Sequence, residues 1–328
     1  MKRLISLLFV ALLPLAQALA ADAPREFNFG ILSTESSQNL KQDWQPILED
    51  MSRRTGARVN AFFAPDYGGM IEAMRFGKVQ VAWLGNKPGI EAVDRANAEV
   101  FAQVIPHGGL PGYWTLLIVH KDSAIQSVED LVRNGKSISM GLGDPNSTSG
   151  FLVPSYYLFA MNRMDPRSHF KAARNANHET NFLSVLNKQI DAATVSSEIL
   201  DRYQQKNPER VKDVRVVWRS PLIASDPILW RKDLDVATKS KVREFFISYG
   251  SKGPDAARER QLLGKLLAEG FKESSNNQLI PFRQLELYKD KTKLETDTNL
   301  STSERQVKLS EIDKKLSELN QQLASAKQ

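Results

Sequence analysis

Short apolar runs alternate with helix-period stretches along most of this chain, and that alternation limits its fold more than any other feature. FNFGIL (Phe27 to Leu32) reads as a strand, and the polar loop STESSQN leads from it into a helix around Trp44, Ile47 and Leu48. RVNAFFA (Arg58 to Ala64) reads as the next strand and runs into the turn Pro65-Asp66-Tyr67-Gly68-Gly69. MIEAMRF then sets Met70, Ile71 and Met74 at helical spacing, and VQVAWL returns to strand. This β-α-β-α order predicts an α/β fold with a largely parallel sheet.

The length of 328 residues suits two lobes, each with its own core. WTLLIVHKDS (Trp114 to Ser123) reads as a strand leaving one lobe, and SPLIASDPILW (Ser220 to Trp230) as a strand pair returning to it. Crossings there predict a hinged molecule with a cleft: lobe 1 over 26–119, lobe 2 over 120–224, and a return to lobe 1 over 225–288. An internal echo between MIEAMRFGKVQVAW and FLSVLNKQIDAAT pairs Val79 with Ile190, Gln80 with Asp191 and Ala82 with Ala193. It suggests two lobes of similar build.

From about Lys289 the composition turns charged and polar, which predicts a C-terminal helical extension over 289–328. Leu309, Ile312, Leu316, Leu319 and Leu323 form an a/d seam along it. Such a seam packs either on the body of its own chain or on a partner, and the second option implies a homodimer through this helix.

The first twenty residues, MKRLISLLFVALLPLAQALA, place Lys2 and Arg3 before an apolar run closed by Ala18-Leu19-Ala20. That is the pattern of a secretory signal peptide over 1–20 with cleavage near Ala20/Ala21; the run is short for a membrane anchor. The absence of cysteine excludes a lipidated cysteine and any disulfide, and the expected location is a bacterial periplasm. Removing Lys2 and Arg3 with the signal lowers the net charge from +6 to +4. The remaining lysines and arginines are scattered, which argues against a nucleic-acid partner and leaves a small anionic ligand open.

GDPNSTSG (Gly143 to Gly150) is the stretch richest in chemistry. Its glycines permit positive φ or close backbone approach, and Asp144-Pro145 favours a turn. Ser147, Thr148 and Ser149 then precede Phe151-Leu152-Val153, where a following helix would expose unpaired N–H groups. Hydroxyls, amide donors and the positive end of a helix dipole would converge there, as at an ordinary helix cap or an anion cradle. The Gly-Lys-Ser/Thr of a nucleotide-binding P-loop is missing. A phosphorus-ester hydrolase would need Ser147 or Ser149 as nucleophile with His178 and Glu179 behind it. There is no GxSxG elbow or SxxK, and His107, His120, His169 and His178 lack metal-ligand spacing. No catalytic centre, cofactor or metal is expected.

Taken in order, FGILSTES, NAFFAPDYGGMI, AVDRAN, PGYW, GDPNSTSGFLVPSYY, NHETN and SDPILWRK resemble the phosphonate-binding proteins of bacterial phosphonate ABC importers. The likeness runs from about Asn28 to the C-terminal helix. It implies a two-lobed type II periplasmic-binding fold with a cleft between the lobes, no enzymatic activity, and delivery of a small phosphonate to a membrane ABC permease. Carried over by position, it implies that Ser147, Thr148 and Ser149 cradle the phosphonate oxygens, with His178 of the HET triplet as a further donor and Tyr67 and Tyr113 walling the ligand. It also implies that Glu198 and Asp226 face the amino group of an aminoalkylphosphonate, 2-aminoethylphosphonate above all, with phosphate, phosphite or another phosphonate as the alternatives. The chain departs from the pattern here: the family segment commonly reads WYGN, and this one reads Trp83-Leu84-Gly85-Asn86, followed by a Lys-Pro-Gly that also differs and takes no ligand role. If Leu84 faces the ligand, specificity would shift; if it faces the core, the change is bland.

Overall fold

The computed structural model describes residues 26–109, 111–297 and 299–325. The expected signal segment and its cleavage point lie outside the described residues. Lobe 1 is built on a six-stranded sheet of β1 (Glu26–Ile31), β2 (Arg58–Phe63), β3 (Val81–Trp83), β4 (Ala98–Pro106), β12 (Pro227–Arg231) and β13 (Ala268–Glu273). Their order in the sheet is β13-β4-β12-β3-β1-β2. Its helices are α1 (Ser37–Thr55), α2 (Tyr67–Arg75), α3 (Asn86–Arg95), α9 (Val236–Ser248) and α10 (Ala256–Lys265). Helix α1 shows why the sequence folds this way. Leu40, Trp44, Ile47, Leu48 and Met51 recur three and four apart, are all buried, and turn one face to the sheet. Gly56 ends the helix at φ 72°, its N–H donating to the Ser52 carbonyl.

Lobe 2 carries β6 (Thr115–His120), β7 (Ser139–Leu142), β8 (Ala172–Asn175), β9 (Ala192–Ser196) and β10 (Val214–Arg219), in the order β10-β6-β9-β7-β8. Its helices are α4 (Val128–Asn134), α5 (Pro166–His169), α6 (His178–Leu186), α7 (Ser197–Lys206) and α8 (Pro208–Val211). The two sheets share one plan. Three parallel strands (β2-β1-β3 and β8-β7-β9) are followed by a strand that has crossed from the other lobe and runs antiparallel (β12 and β6). The sheets are therefore mixed rather than largely parallel, because the crossing strands enter from the opposite end.

The sequence echo has a physical counterpart in this plan. Gln80 donates its N–H to the Asn28 carbonyl and accepts the Asn28 N–H on Oε1 at 2.9 Å. Asp191 does the same with Ser139, whose N–H reaches Oδ2 at 2.7 Å. Each side chain braces the start of the central parallel strand of its own lobe.

The two crossings pair with each other. β5 (Gly112–Tyr113) and β11 (Ile223–Ala224) form an antiparallel ribbon between the lobes. A side chain at Gly112 would place its Cβ 1.8 Å from the Ile223 carbonyl oxygen, so the ribbon needs glycine there. The expected first boundary at 119/120 moves accordingly. All of β6 belongs to the second sheet, because its apolar residues Leu116 to Val119 pair with β9. The ribbon strand β11 ends at Ala224, and β12 of the first sheet begins at Pro227.

The expected start of the extension at Lys289 falls inside α11 (Ile280–Thr296), which begins with the buried Ile280, Phe282 and Leu285 on lobe 1. The compositional change falls within one continuous helix, not at an element boundary. α12 (Thr302–Ser325) folds back on α11. Ile312 and Leu316 are buried, and Leu309, Leu319 and Leu323 are half-buried. Hydrogen bonds from Gln284 Nε2 to Asn320 Oδ1 (2.7 Å) and from Lys291 Nζ to Asp313 Oδ1 (2.5 Å) flank the contact. The a/d seam is thus used within the chain.

Candidate functional site

The loop 143–150 leaves β7 at the inter-lobe face and closes on itself. Gly143 N–H donates to the Gly150 carbonyl at 2.8 Å, and a Cβ on Gly143 would lie 2.4 Å from Gly150 Cα. Close backbone approach, not positive φ, is why both ends are glycine. Two buried threonines hold the loop's carbonyls from behind: Thr115 Oγ1 donates to Ser149 O (2.7 Å) and Thr194 Oγ1 to Gly150 O (2.8 Å). The chain then winds into a wide π-helical turn, Thr148–Leu152, with Ser147 as its cap. As first residues of that run, Thr148 and Ser149 have N–H groups that no preceding turn can accept.

A small cavity of ≈ 30 Å³ lies between the lobes. It is lined by all eight residues singled out from the sequence: Ser147, Thr148, Ser149, His178, Tyr67, Tyr113, Glu198 and Asp226. Lobe 1 contributes Tyr67 at the start of α2 and Asp226 just before β12, while Tyr113 comes from the ribbon. Lobe 2 contributes the rest, with His178 at the start of α6 and Glu198 at the start of α7.

His178 has a defined protonation. Its Nδ1 accepts the backbone N–H of Ser196 at 3.1 Å, so in the neutral ring the proton sits on Nε2. Nε2 lies 3.4 Å from Ser147 Oγ, which already accepts the Gly150 N–H at 3.0 Å. Burial lowers the imidazole pKa to about 4, so the ring is a neutral donor at physiological pH. A ring with its Nε2 protonated and its Nδ1 occupied cannot take a proton from serine, which is what a hydrolase would require.

The phenols of Tyr67 and Tyr113 are pushed well above their ordinary range, by burial first and then by the nearby carboxylates of Asp144 and Asp226. Both stay protonated. Tyr113 OH donates to Asp226 Oδ1 at 2.9 Å. Burial raises the Asp226 carboxyl well above the usual carboxylate range, and the charge of Glu198 beside it adds to the effect. Glu198 is raised by burial too, against the opposing pull of the Arg202 guanidinium. Its Oε2 accepts the Ser196 hydroxyl at 3.2 Å.

Reading the sequence did not single out Trp83, Gly85, Glu35 or Arg202, which also line the cavity. Arg202 stands one helical turn beyond Glu198, a spacing visible in the sequence. Its Nε meets Glu35 Oε1 at 2.9 Å, with both side chains buried. Among the described lining residues Arg202 is the one basic side chain. Leu84 is absent from the lining and fully buried in the core of lobe 1. Strand alternation turns Trp83 and Gly85 to the cleft and Leu84 away from it, so the departure at this position is the bland one.

Two α/β lobes joined by a two-strand ribbon and closed on a polar cavity have the architecture of the type II periplasmic-binding class. Comparison with known proteins gives the family. Residues 29–279 match the family described as "ABC transporter, phosphonate, periplasmic substrate-binding protein", and the chain belongs to it. It is 50% identical to the phosphonates-binding periplasmic protein of Escherichia coli (strain K12) over 294 residues, 90% of this chain and 86% of that protein. A crystal structure of a binding protein component of an ABC phosphonate transporter from Pseudomonas aeruginosa superposes with a TM-score of 0.90. The two share 49% identity, over 94% of this chain and 100% of that one. A more distant relative, 26% identical over 68% of this chain and 71% of its own length, is the phosphate-import protein PhnD of Mycolicibacterium smegmatis. The protein is a periplasmic phosphonate-binding component of an ABC importer, not an enzyme.

Proposed function

We propose that the preferred ligand is 2-aminoethylphosphonate, bound with its phosphonate on the 147–149 loop and its ammonium between Glu198 and Asp226. The observation that carries this reading is the make-up of the cavity. Ser147, Thr148, Ser149, Tyr67 and His178 Nε2–H are neutral donors, suited to an anion already charged by itself. Glu198 and Asp226 are two carboxylates whose charge is costly where they are buried, and an ammonium would relieve that cost by charge-assisted hydrogen bonds. Phosphate or methylphosphonate would bring them no further cation, and Tyr113 would hold Asp226 toward the amine.

In this reading closure on the ligand presents the molecule to a membrane permease. The segment 1–20 directs export and is removed near Ala20/Ala21. Self-association through the C-terminal helix would have to use a face other than the a/d seam, since α11 covers it. The alternative of the same class is a receptor for phosphate, phosphite or another phosphonate, as the name of the more distant relative suggests for that protein.

The test is a thermal-shift titration of ligand-stripped mature protein with 2-aminoethylphosphonate, methylphosphonate, phosphate and phosphite. One-site binding at a hundred times Kd adds about 2.7 kcal/mol, a shift of roughly 4 °C at this size. A large shift with 2-aminoethylphosphonate alone is expected. An equal or larger shift with phosphate or phosphite would remove the amine pocket from the reading.

A further inference from the structure

Glu179 follows His178 in the chain but does not line the cavity. Its carboxylate reaches across the cleft to lobe 1. Oε2 accepts the backbone N–H of Ser36, the N-cap of α1, at 2.7 Å, and Oε1 accepts Asn39 Nδ2 at 2.9 Å. From its own lobe, Tyr203 OH donates to Oε1 at 3.2 Å and holds the carboxylate in this direction. Two other lobe-2 acceptors cross to helix starts of lobe 1. Thr148 Oγ1 accepts the N–H of Lys87 at 2.8 Å in α3, whose own cap, Gly85, has no side chain to offer. Asp144 Oδ2 accepts the N–H of Tyr67 at 3.4 Å in α2. Beside Glu179, the pairs Arg202–Glu35 and Lys206–Asp43, each at 2.9 Å, also cross between α7 and the loop or helix of α1.

We propose that Glu179 is a positioning residue: its clasp on the start of α1 holds the two lobes closed and sets the affinity for every ligand alike, without choosing among them. Opening the cleft would return the Ser36 N–H, the Asn39 amide and the Glu179 carboxylate to water. Closing replaces those contacts with charge-assisted hydrogen bonds at the positive end of a nineteen-residue helix. A ligand trapped by closure binds with an apparent Kd divided by the fraction of molecules able to close, so a weaker clasp lowers every affinity by one common factor. His178 donates into the cavity while its neighbour Glu179 grips the other lobe, so the first turn of α6 joins capture to closure. This rests on the receptor reading but not on which phosphonate is preferred.

The experiment is calorimetric binding of 2-aminoethylphosphonate and methylphosphonate to mature wild type, Glu179→Ala, Glu179→Gln and Asn39→Ala, with small-angle scattering of each protein free and saturated. Glu179→Ala should weaken both ligands by the same factor, on the order of tenfold. Glu179→Gln should recover part of the loss, and Asn39→Ala should show a smaller loss of the same kind. The ligand-free variants should scatter as more open molecules, and saturation should restore the wild-type profile. A change in the ratio of the two affinities would make Glu179 a ligand contact, and unchanged affinities would make the clasp idle; either overturns the proposal. If Glu179→Ala does not fold, the ratio and scattering of Asn39→Ala and Tyr203→Phe decide it. Failure of wild type to bind either ligand would instead strike the receptor reading itself.

Discussion

Acid should destabilise this protein through one identifiable ring. The His178 imidazole has its pKa lowered from 6.5 to about 4 by burial, and Ser196 N–H occupies the nitrogen that would be protonated. The unfolded chain therefore binds a proton in the window from about pH 6.5 down to about 4 that the folded chain does not. Stability rises with pH wherever the unfolded state holds more protons, so the contribution of His178 is fully present above pH 6.5 and lost as pH falls through the window. From the two pKa values the loss is about 2 kcal/mol at pH 5 and about 3 kcal/mol at pH 4. Urea unfolding of ligand-free wild type and His178→Gln at intervals between pH 7.5 and pH 4.5 isolates this contribution as the difference between the two profiles, whatever the carboxylates do in both proteins. Wild type should lose about 2 kcal/mol more than the variant by pH 5. Parallel profiles would refute the argument, as would an NMR titration of the His178 ring with a midpoint near the free value. Under the proposed function, a saturating phosphonate beside Nε2 would favour the charged ring and shrink the difference.

Further outcomes follow from the same geometry. Burial raises Asp226 and Glu198, so loading an ammonium beside them should expel protons. Lowering pH from 8 to 5.5 should then weaken 2-aminoethylphosphonate more than methylphosphonate, and calorimetry in buffers of different ionisation enthalpy checks the proton release. Glu198→Gln should weaken the aminoethyl ligand far more than methylphosphonate, whereas Ser149→Ala should weaken both; equal losses for Glu198→Gln would sink amine recognition. Gly112→Ala forces a methyl group onto the Ile223 carbonyl and should cost about 3 kcal/mol in urea unfolding. Leu316→Asp should free α12 from α11, seen as faster proteolysis after residue 297, while leaving the binding isotherm unchanged.

Much of the fold was legible because it depends on local pattern. Alternating apolar runs and helix periods specify α/β lobes, and the polar loop STESSQN and the turn 65–69 fall where the structure starts α1 and α2. The stretch GDPNSTSG announced a tight loop with converging donors, since two glycines and three hydroxyl residues in eight positions have few other uses. The eight residues carried over from the family resemblance do come together in one cavity.

What the chain order hid depends on contacts far apart in sequence. The strand β6 follows lobe 1 without a break in pattern, and only its pairing with β9 assigns it to lobe 2. The helix α11 crosses a compositional boundary because its apolar first turn is anchored while its later turns meet α12. The direction of Leu84 turned on which face of β3 meets the cleft, which strand alternation settles only once Trp83 is placed. Arg202, Glu35 and the clasp of Glu179 on Ser36 join residues 143 or more positions apart. By itself, then, the sequence determined the lobes, the tight hydroxyl-rich loop and the kinds of group available to a ligand. The tertiary structure alone decided which carboxylate faces the cavity and which grips the opposite lobe, because burial and partner are properties of the closed cleft and not of either segment.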